Sequence, residues 1–237
     1  MSDTRTTTVA DRRTDPSTGA SARAARRWFL VLAPALAGLL AVIGAAADPA
    51  VDQDGRALFE AYANDPGGVQ IKSLAYHFSY ALWPAAALVL AGLVRRRGSW
   101  LANAAAVLAF LGMTTMPGFL LADFYDSAIG QEFGADGSVA VEERMGDMWA
   151  LLVMVGSGVP GLLLSLPVAA LAAWRAGLLP WWGPVAVTAG IVVGFLVIGA
   201  NVPGAVVMAV GFVVLSVALA RIPAGVWTPR GDVPRTE

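Results

Sequence analysis

Long uncharged apolar runs separated by polar segments are the dominant pattern of this chain. The runs have 19 to 27 residues, and a helix of about 20 residues crosses the roughly 30 Å core of a bilayer. None of them alternates like a barrel strand, and lipid offers no partner to an open backbone, so each run must be helical. The pattern predicts an all-α transmembrane bundle with six spans, at 28–47, 74–94, 100–121, 148–174, 181–200 and 202–220.

The polar ends of the chain predict two tails on one side of the membrane. Residues 1–26 are rich in Ser, Thr, Asp and Arg and have no apolar period, which is typical of a disordered segment. We expect a disordered cytoplasmic tail at 1–26, a six-helix transmembrane domain at 27–221 and a cytoplasmic tail at 222–237. A competing interpretation is a signal peptide cleaved after Ala47, which would leave five spans and an outer N-terminus.

Arginine placement orients the bundle. The segments on the side of the N-terminus hold 13 of the 16 basic residues and five of the 17 acidic ones, so the two long loops on the other side are strongly acidic. Six tryptophans fall at the arginine-rich boundary, as expected for rings that prefer the headgroup level. By the positive-inside rule both termini are cytoplasmic.

Composition narrows the protein class and removes much chemistry. Of the 237 residues, 57% are hydrophobic and 14% charged, and the mean hydropathy of +0.65 excludes an ordinary water-soluble domain. With no cysteine and one histidine, the chain has no thiolate metal site, no covalent haem and no pair of imidazoles. We therefore assign no catalytic residue, no metal site and no cofactor. The richness in Ala, Gly, Val and Leu indicates a GC-rich, bacterial genome and hence a multi-pass protein of the plasma (inner) membrane.

The candidate functional residues lie at the outer ends of spans two and three. His77 and Tyr80 share a helical face with Ser73, and Asp123 and Asp126 are one turn apart in span three. We expect His77 to face the bundle and to pair with Asp123, Asp126 or Tyr80. These four residues, His77, Tyr80, Asp123 and Asp126, are the predicted ligand-binding site, for a metal ion, a cation or proton chemistry. The alternative is a hydrogen-bonded structural histidine and solvated aspartates.

Two smaller features concern the loops and helix packing. Residues 56–64 predict a short helix on the outer membrane surface, with Leu58, Phe59 and Tyr62 on one side. Gly190 and Gly194 in span five form a small-residue pair of the kind that lets two membrane helices approach closely.

The order of these parts over residues 28–220 resembles a widespread family of uncharacterised six-helix bacterial membrane proteins, a domain of unknown function. The resemblance is carried by RALFEAYANDPGG in the first outer loop, LAYHFSYALWP in span two, RRRGSW in the inner turn, ADFYD ending span three and LPWWG before span five. It implies the fold and brings no activity or site residues.

The function expected from the sequence is that of a non-enzymatic integral membrane protein acting through packing, lipid contact or a partner. The alternative is a small carrier or outward-facing ligand- or ion-binding protein that uses His77, Asp123 and Asp126. Membrane lipid is the expected partner, a second copy of the chain or another membrane protein stays open, and nothing indicates nucleic acid.

The predicted topology can be tested with reporter fusions. Alkaline phosphatase should be active, and green fluorescent protein dark, when fused at Gly134 in the second outer loop, because that loop lies outside the cytoplasm. The reverse is expected at Thr236 in the C-terminal tail. Phosphatase activity at Thr236 would contradict the orientation.

Overall fold

The computed structural model describes residues 16–95, 97–199 and 201–227, and within these ranges the chain is helical and contains no strand. The helices are α1 (Pro16–Ala47), α2 (Gly55–Asn64), α3 (Pro66–Leu93), α4 (Ser99–Phe133), α5 (Ala135–Gly146), α6 (Trp149–Arg175), α7 (Trp182–Ala189), a π-helical segment (Gly190–Ile198) that continues α7, α8 (Val202–Ala220) and a short 3₁₀ turn (Ala224–Trp227). The parts of the predicted tails at 1–15 and 228–237 lie outside the described residues.

Five of these helices are long and apolar enough to cross a membrane: α1 from Ser21 onward, α3, α4, α6 and α8. A shorter apolar helix, Trp182–Ile198, consists of α7 and the π-helical segment. The prediction of a helical, multi-pass membrane bundle is confirmed at this level. The bounds of α8 equal those of its predicted span, and those of α6 differ by one residue at each end.

Three helices extend well beyond the apolar runs that predicted them. α1 begins at Pro16, so the part of the expected disordered tail that is described is helical. α3 begins at Pro66, where the Asp65 side chain accepts a hydrogen bond from Gly68 N at 2.9 Å. α4 passes through Pro117 and ends at Phe133, because the next residue, Gly134, has a φ of 77° that breaks the helix. Hydropathy cannot detect these extensions, because a helix that leaves the membrane becomes polar without ending.

Small residues line the inside of the bundle. Ala37, Ala105 and Ala169 are completely buried, whereas large side chains such as Leu39 and Phe110 are more than half exposed on the outer surface. This distribution is expected where lipid is as apolar as the protein, because helices then gain most from approaching each other closely.

Glycines make the closest of these approaches. A Cβ on Gly161 of α6 would lie 2.6 Å from the backbone N of Gly112 in α4. In the predicted pair of span five, a Cβ on Gly190 would lie 3.1 Å from Gly211 Cα, and one on Gly194 would lie 2.5 Å from Gly204 O. The packing role predicted for Gly190 and Gly194 is therefore confirmed.

One end of the bundle brings the first and last long helices together. Arg27 of α1 donates from Nη2 to the carbonyl of Ala220 in α8 at 3.3 Å. The Arg221 guanidinium lies 5.4 Å from the ring centroid of Trp182, at the start of α7. The start of α1, the start of α7 and the end of α8 thus lie at the same end, which we call the inner end.

The glycine contact between α4 and α6 should be sensitive to a single methyl group. Gly161→Ala forces two backbones apart and is expected to destabilise the protein by about 1–3 kcal/mol. Gly156→Ala on the same helix is the control, since a Cβ there meets nothing within 4 Å and should be neutral or slightly stabilising. Equilibrium unfolding in mixed detergent micelles measures both, and equal effects would contradict the packing argument.

Candidate functional site

Four segments bring polar side chains together at the outer end of the bundle. Asp48 follows the last residue of α1, Tyr62 lies on α2, Lys72 and Ser73 lie on α3, and Asp123 lies on α4. We call these five residues the outer polar cluster. α2 reaches it because its aromatic side is buried, and Ser127 of α4 donates a hydrogen bond to the Tyr62 carbonyl at 2.8 Å. α2 therefore packs against α4 through the face predicted for the membrane surface.

Lys72 is the centre of the outer polar cluster. Its Nζ lies 3.2 Å from Asp123 Oδ2 and 3.7 Å from Asp48 Oδ2, and it donates to the hydroxyl of Tyr62. The same Nζ lies 4.3 Å from the centroid of the Tyr62 ring. Ser73 donates to Asp123 Oδ2 at 2.7 Å. One cation thus holds two carboxyl groups, one directly after α1 and the other on α4.

The side chains that make these contacts are largely buried. The Lys72 side chain is 9% exposed, and those of Asp48 and Asp123 are 16% and 18% exposed. Burial first, and then the carboxylates of Asp123 and Asp48, raise the pKa of the Tyr62 phenol well above its usual range. Tyr62 therefore stays neutral and serves Lys72 as a hydroxyl acceptor and an aromatic face. The cluster is an ion-pair network with its cation already in place.

Asp126 lies next to this network, beyond residue 121, where the predicted span ends. α4 has 35 residues, well beyond the about 20 that a crossing needs, and its end packs against α5, where Ser138 donates to the Asp126 carbonyl. Burial first, and then the neighbouring carboxylates of Asp123 and Glu142, raise the pKa of Asp126 to about 6. Asp126 therefore takes up a proton at mildly acidic pH, where an ordinary aspartate stays ionised.

The structure separates the four residues of the predicted site. Asp123 belongs to the outer polar cluster, and Asp126 lies beside it. His77 is exposed on the side of the bundle, and its Nδ1 is 3.4 Å from the Pro117 carbonyl. The expected pairing of His77 with a carboxylate or with Tyr80 is therefore corrected: His77 faces away from the bundle interior, because the buried stripe of α3 is rotated from the face that the polar residues suggested.

Tyr80, the fourth predicted residue, lines a cavity in the bundle instead. Its ring stacks on that of Tyr76 with centroids 5.5 Å apart. Both rings border a cavity of about 60 Å³, well above the about 10–15 Å³ that one water needs. The other walls come from α1, α4, α6, the π-helical segment and α8, with Trp83, Met116, Phe195 and Met208 among the lining residues.

Trp83 gives this cavity its unusual feature. The residue is 1% exposed, and its ring meets Phe212 edge to face at 4.9 Å between centroids. Its Nε1 is a buried donor without an acceptor in the part of the chain that the structure describes, where no other buried side-chain nitrogen or oxygen lacks a partner. A buried N–H without an acceptor costs about 1–3 kcal/mol. Trp83 lines the cavity, so an acceptor bound there that reached Nε1 would remove this cost.

The described residues contain no group of three or more His, Asp or Glu side chains placed to hold a metal ion. Comparison with protein-family models, with curated proteins and with solved structures gives no match to this chain. The site must therefore be interpreted from its own geometry.

Sequence reasoning missed Lys72, Tyr62, Asp48 and Trp83. One signal was available: Lys72 is the only lysine in a chain whose other 15 basic residues are arginine. It also lies on the buried stripe of α3, which small residues mark at Ala75 and Ala86. Nothing in the sequence indicates that Trp83 Nε1 has no partner, because this depends on the absence of hydrogen-bond acceptors among the neighbouring residues.

Removing the charge of Lys72 should loosen the outer end. Lys72→Met keeps the apolar stem but leaves two carboxyl groups without their cation, so we expect a loss of about 2–4 kcal/mol, since broken buried pairs cost about 3–5 kcal/mol. Arg56→Met is the matched control, because the Arg56 ion pairs with Glu60 and Asp136 are exposed and should contribute little. Unfolding in mixed micelles measures both variants.

Adding Asp123→Asn to Lys72→Met should restore part of the loss, because one of the stranded carboxylates is then neutral. Strict additivity of the two substitutions would contradict the network.

Proposed function

We propose that this chain is a six-span, non-enzymatic protein of a bacterial plasma membrane that binds a small apolar ligand carrying one hydrogen-bond acceptor. The observation that carries the proposal is Trp83, a buried donor without a protein acceptor on the wall of the cavity. The resemblance to six-helix bacterial membrane proteins is consistent with this architecture and adds no ligand.

The short helix Trp182–Ile198 supports six crossings. It packs antiparallel along α8: Gly183 lies near Ala218, Gly190 near Gly211, and Gly194 near Gly204. It therefore accompanies α8 over most of its 19 residues. An even number of crossings also agrees with the hydrogen bond that joins Arg27 to Ala220, and the arginine-rich side would be cytoplasmic.

The chemistry of the cavity defines the ligand. Indole Nε1–H donates and cannot accept, so the complementary group is a carbonyl, ester or ether oxygen. The remaining walls are apolar side chains and two tyrosine rings, which favour an uncharged molecule. The ligand must be smaller than a benzene ring, because the cavity has a volume of about 60 Å³ and an apolar cavity that holds benzene has about 150 Å³.

Two observations favour ligand binding over an enzyme or a cation site. The ammonium of Lys72 already lies between the carboxyl groups of Asp48 and Asp123, where a bound cation would have to lie. His77 is exposed, and its ring contacts a carbonyl and Phe78 instead of a nucleophile or a second acid. The outer polar cluster is therefore better suited to holding helices than to chemistry.

The indole N–H signals of ¹⁵N-labelled protein in detergent test this proposal. Acetone carries a carbonyl acceptor, and 2-methylpropene has nearly the same shape without one. We expect acetone to move the Trp83 N–H proton signal downfield, because a new hydrogen bond deshields it, and 2-methylpropene to lack this effect. Trp83→Phe identifies the signal by its disappearance, and exposed Trp149 reports partition of either compound into the micelle.

The same substitution should leave the ligand-free protein intact. Trp83→Phe keeps an aromatic ring against Phe212 and removes a donor that has no acceptor, but it also leaves part of the indole volume empty, so the two effects should largely cancel and change stability by about 1 kcal/mol or less. Identical shifts with both compounds, or a Trp83 signal that neither compound moves, would overturn the proposed function.

A further inference from the structure

A second site is suggested at the inner end, where two arginines line one pocket and the described residues include no acid. Arg97 precedes α4, Arg175 ends α6, and both line one open pocket of about 570 Å³ together with Gly98, Trp100 and Trp174. Both side chains are exposed, and neither has a hydrogen bond or ion pair to another residue in the described ranges. Their donors are therefore available to an anion.

The backbone brings these two arginines to one place. Gly98 has a φ of 85°, and a Cβ there would lie 2.8 Å from the carbonyl oxygen of Ala172 in the last turn of α6. The turn before α4 is thus pressed against the end of α6, and only glycine fits. Arg97 and Arg175 are placed side by side by this contact rather than by attraction.

The charged side chains described at this end are all positive. Every Asp and Glu among the described residues lies on the segments at the opposite end, between α1 and α3 or from the end of α4 to α6. No carboxylate in the described ranges lies at this end to neutralise the two guanidinium groups, and planar guanidinium groups suit phosphate oxygens well.

An apolar groove continues from the same pocket. It has a volume of about 740 Å³ and runs between α6 and α7 from Trp174 and Trp181 to Val192 and Val193. Trp174 lines both the pocket and the groove. The groove lies on the outer surface of an apolar helix pair, where Val185 is 53% exposed. The pocket with the two unpaired arginines therefore opens into the apolar groove. By helix rise, the groove is about 12 Å long from Pro184 to Val192.

We propose that this inner surface binds one anionic phospholipid, with its phosphate between Arg97 and Arg175 and an acyl chain in the groove between α6 and α7. The two arginines and the apolar groove together favour a phospholipid over the two alternatives that follow. A free phosphate would leave the groove unused, and an uncharged apolar molecule would leave both arginines unpaired. The site is independent of the Trp83 cavity, which lies in the other half of the bundle.

Native mass spectrometry of the detergent-purified protein tests the proposal, with palmitoyl-oleoyl phosphatidylglycerol as the probe. The same chains on phosphatidylcholine, and inorganic phosphate, are the comparison ligands. We expect one phosphatidylglycerol to bind at least about tenfold more tightly than phosphatidylcholine. Both lipids carry a phosphate, but only phosphatidylglycerol has a net negative charge to strengthen its charge-assisted bonds with the two arginines. Inorganic phosphate at the same concentration should not displace it, because it lacks the chain.

Three variants separate the parts of the site. Arg97→Gln with Arg175→Gln should abolish the preference for phosphatidylglycerol, while Arg23→Gln with Arg26→Gln removes the same charge from α1 and should preserve it. Val185→Trp fills the groove and should weaken binding several-fold with both arginines present.

Four outcomes would overturn the proposal. They are equal affinity for the two lipids, equal loss in both double variants, displacement by phosphate alone, or a change of oligomeric state with Val185→Trp, which would identify a second copy as the occupant.

Discussion

Close approach of helix backbones is the constraint on which this structure depends. Lipid tails are as apolar as leucine, so burying a side chain between two membrane helices gains little over leaving it in lipid. Dispersion contacts between closely packed backbones remain, and they require small residues. Gly112 against Gly161, and Gly194 against Gly204, leave no room for a methyl group. The inside-out distribution of alanine and large side chains follows from the same requirement.

Helices that pack only through small residues can shift easily along one another. The outer polar cluster opposes such a shift. Lys72 links the end of α1 to α4 through two carboxyl groups, and α2 is drawn in by the Tyr62 ring. A buried pair adds little net stability because its desolvation offsets its attraction. Such a pair bears instead on specificity, because a shift in register that separates Lys72 from Asp48 and Asp123 leaves buried charge without a partner.

The sequence predicts the spans better than it predicts the site, for physical reasons. Hydropathy reports where a helix can lie in lipid, so α6 and α8 were found nearly to the residue, while the water-exposed end of α4 was not. The face of α3 was chosen by its polar residues and was rotated by about one position. The buried stripe includes Lys72, Ser79 and Trp83, and His77 flanks it. Small residues, rather than polar ones, mark the packing face of a membrane helix.

The position of the cavity bears on how a ligand could reach it. Along α3, Tyr76, Tyr80 and Trp83 follow Lys72 by about one, two and three turns, so the outer polar cluster lies directly above the cavity. Entry from the outer aqueous side would require separating Lys72 from two carboxyl groups. Entry from the membrane requires only movement of a wall, and the wall that contains Phe195 is π-helical, a geometry often found at functional sites. An uncharged ligand dissolved in the bilayer is therefore favoured over one that arrives through water.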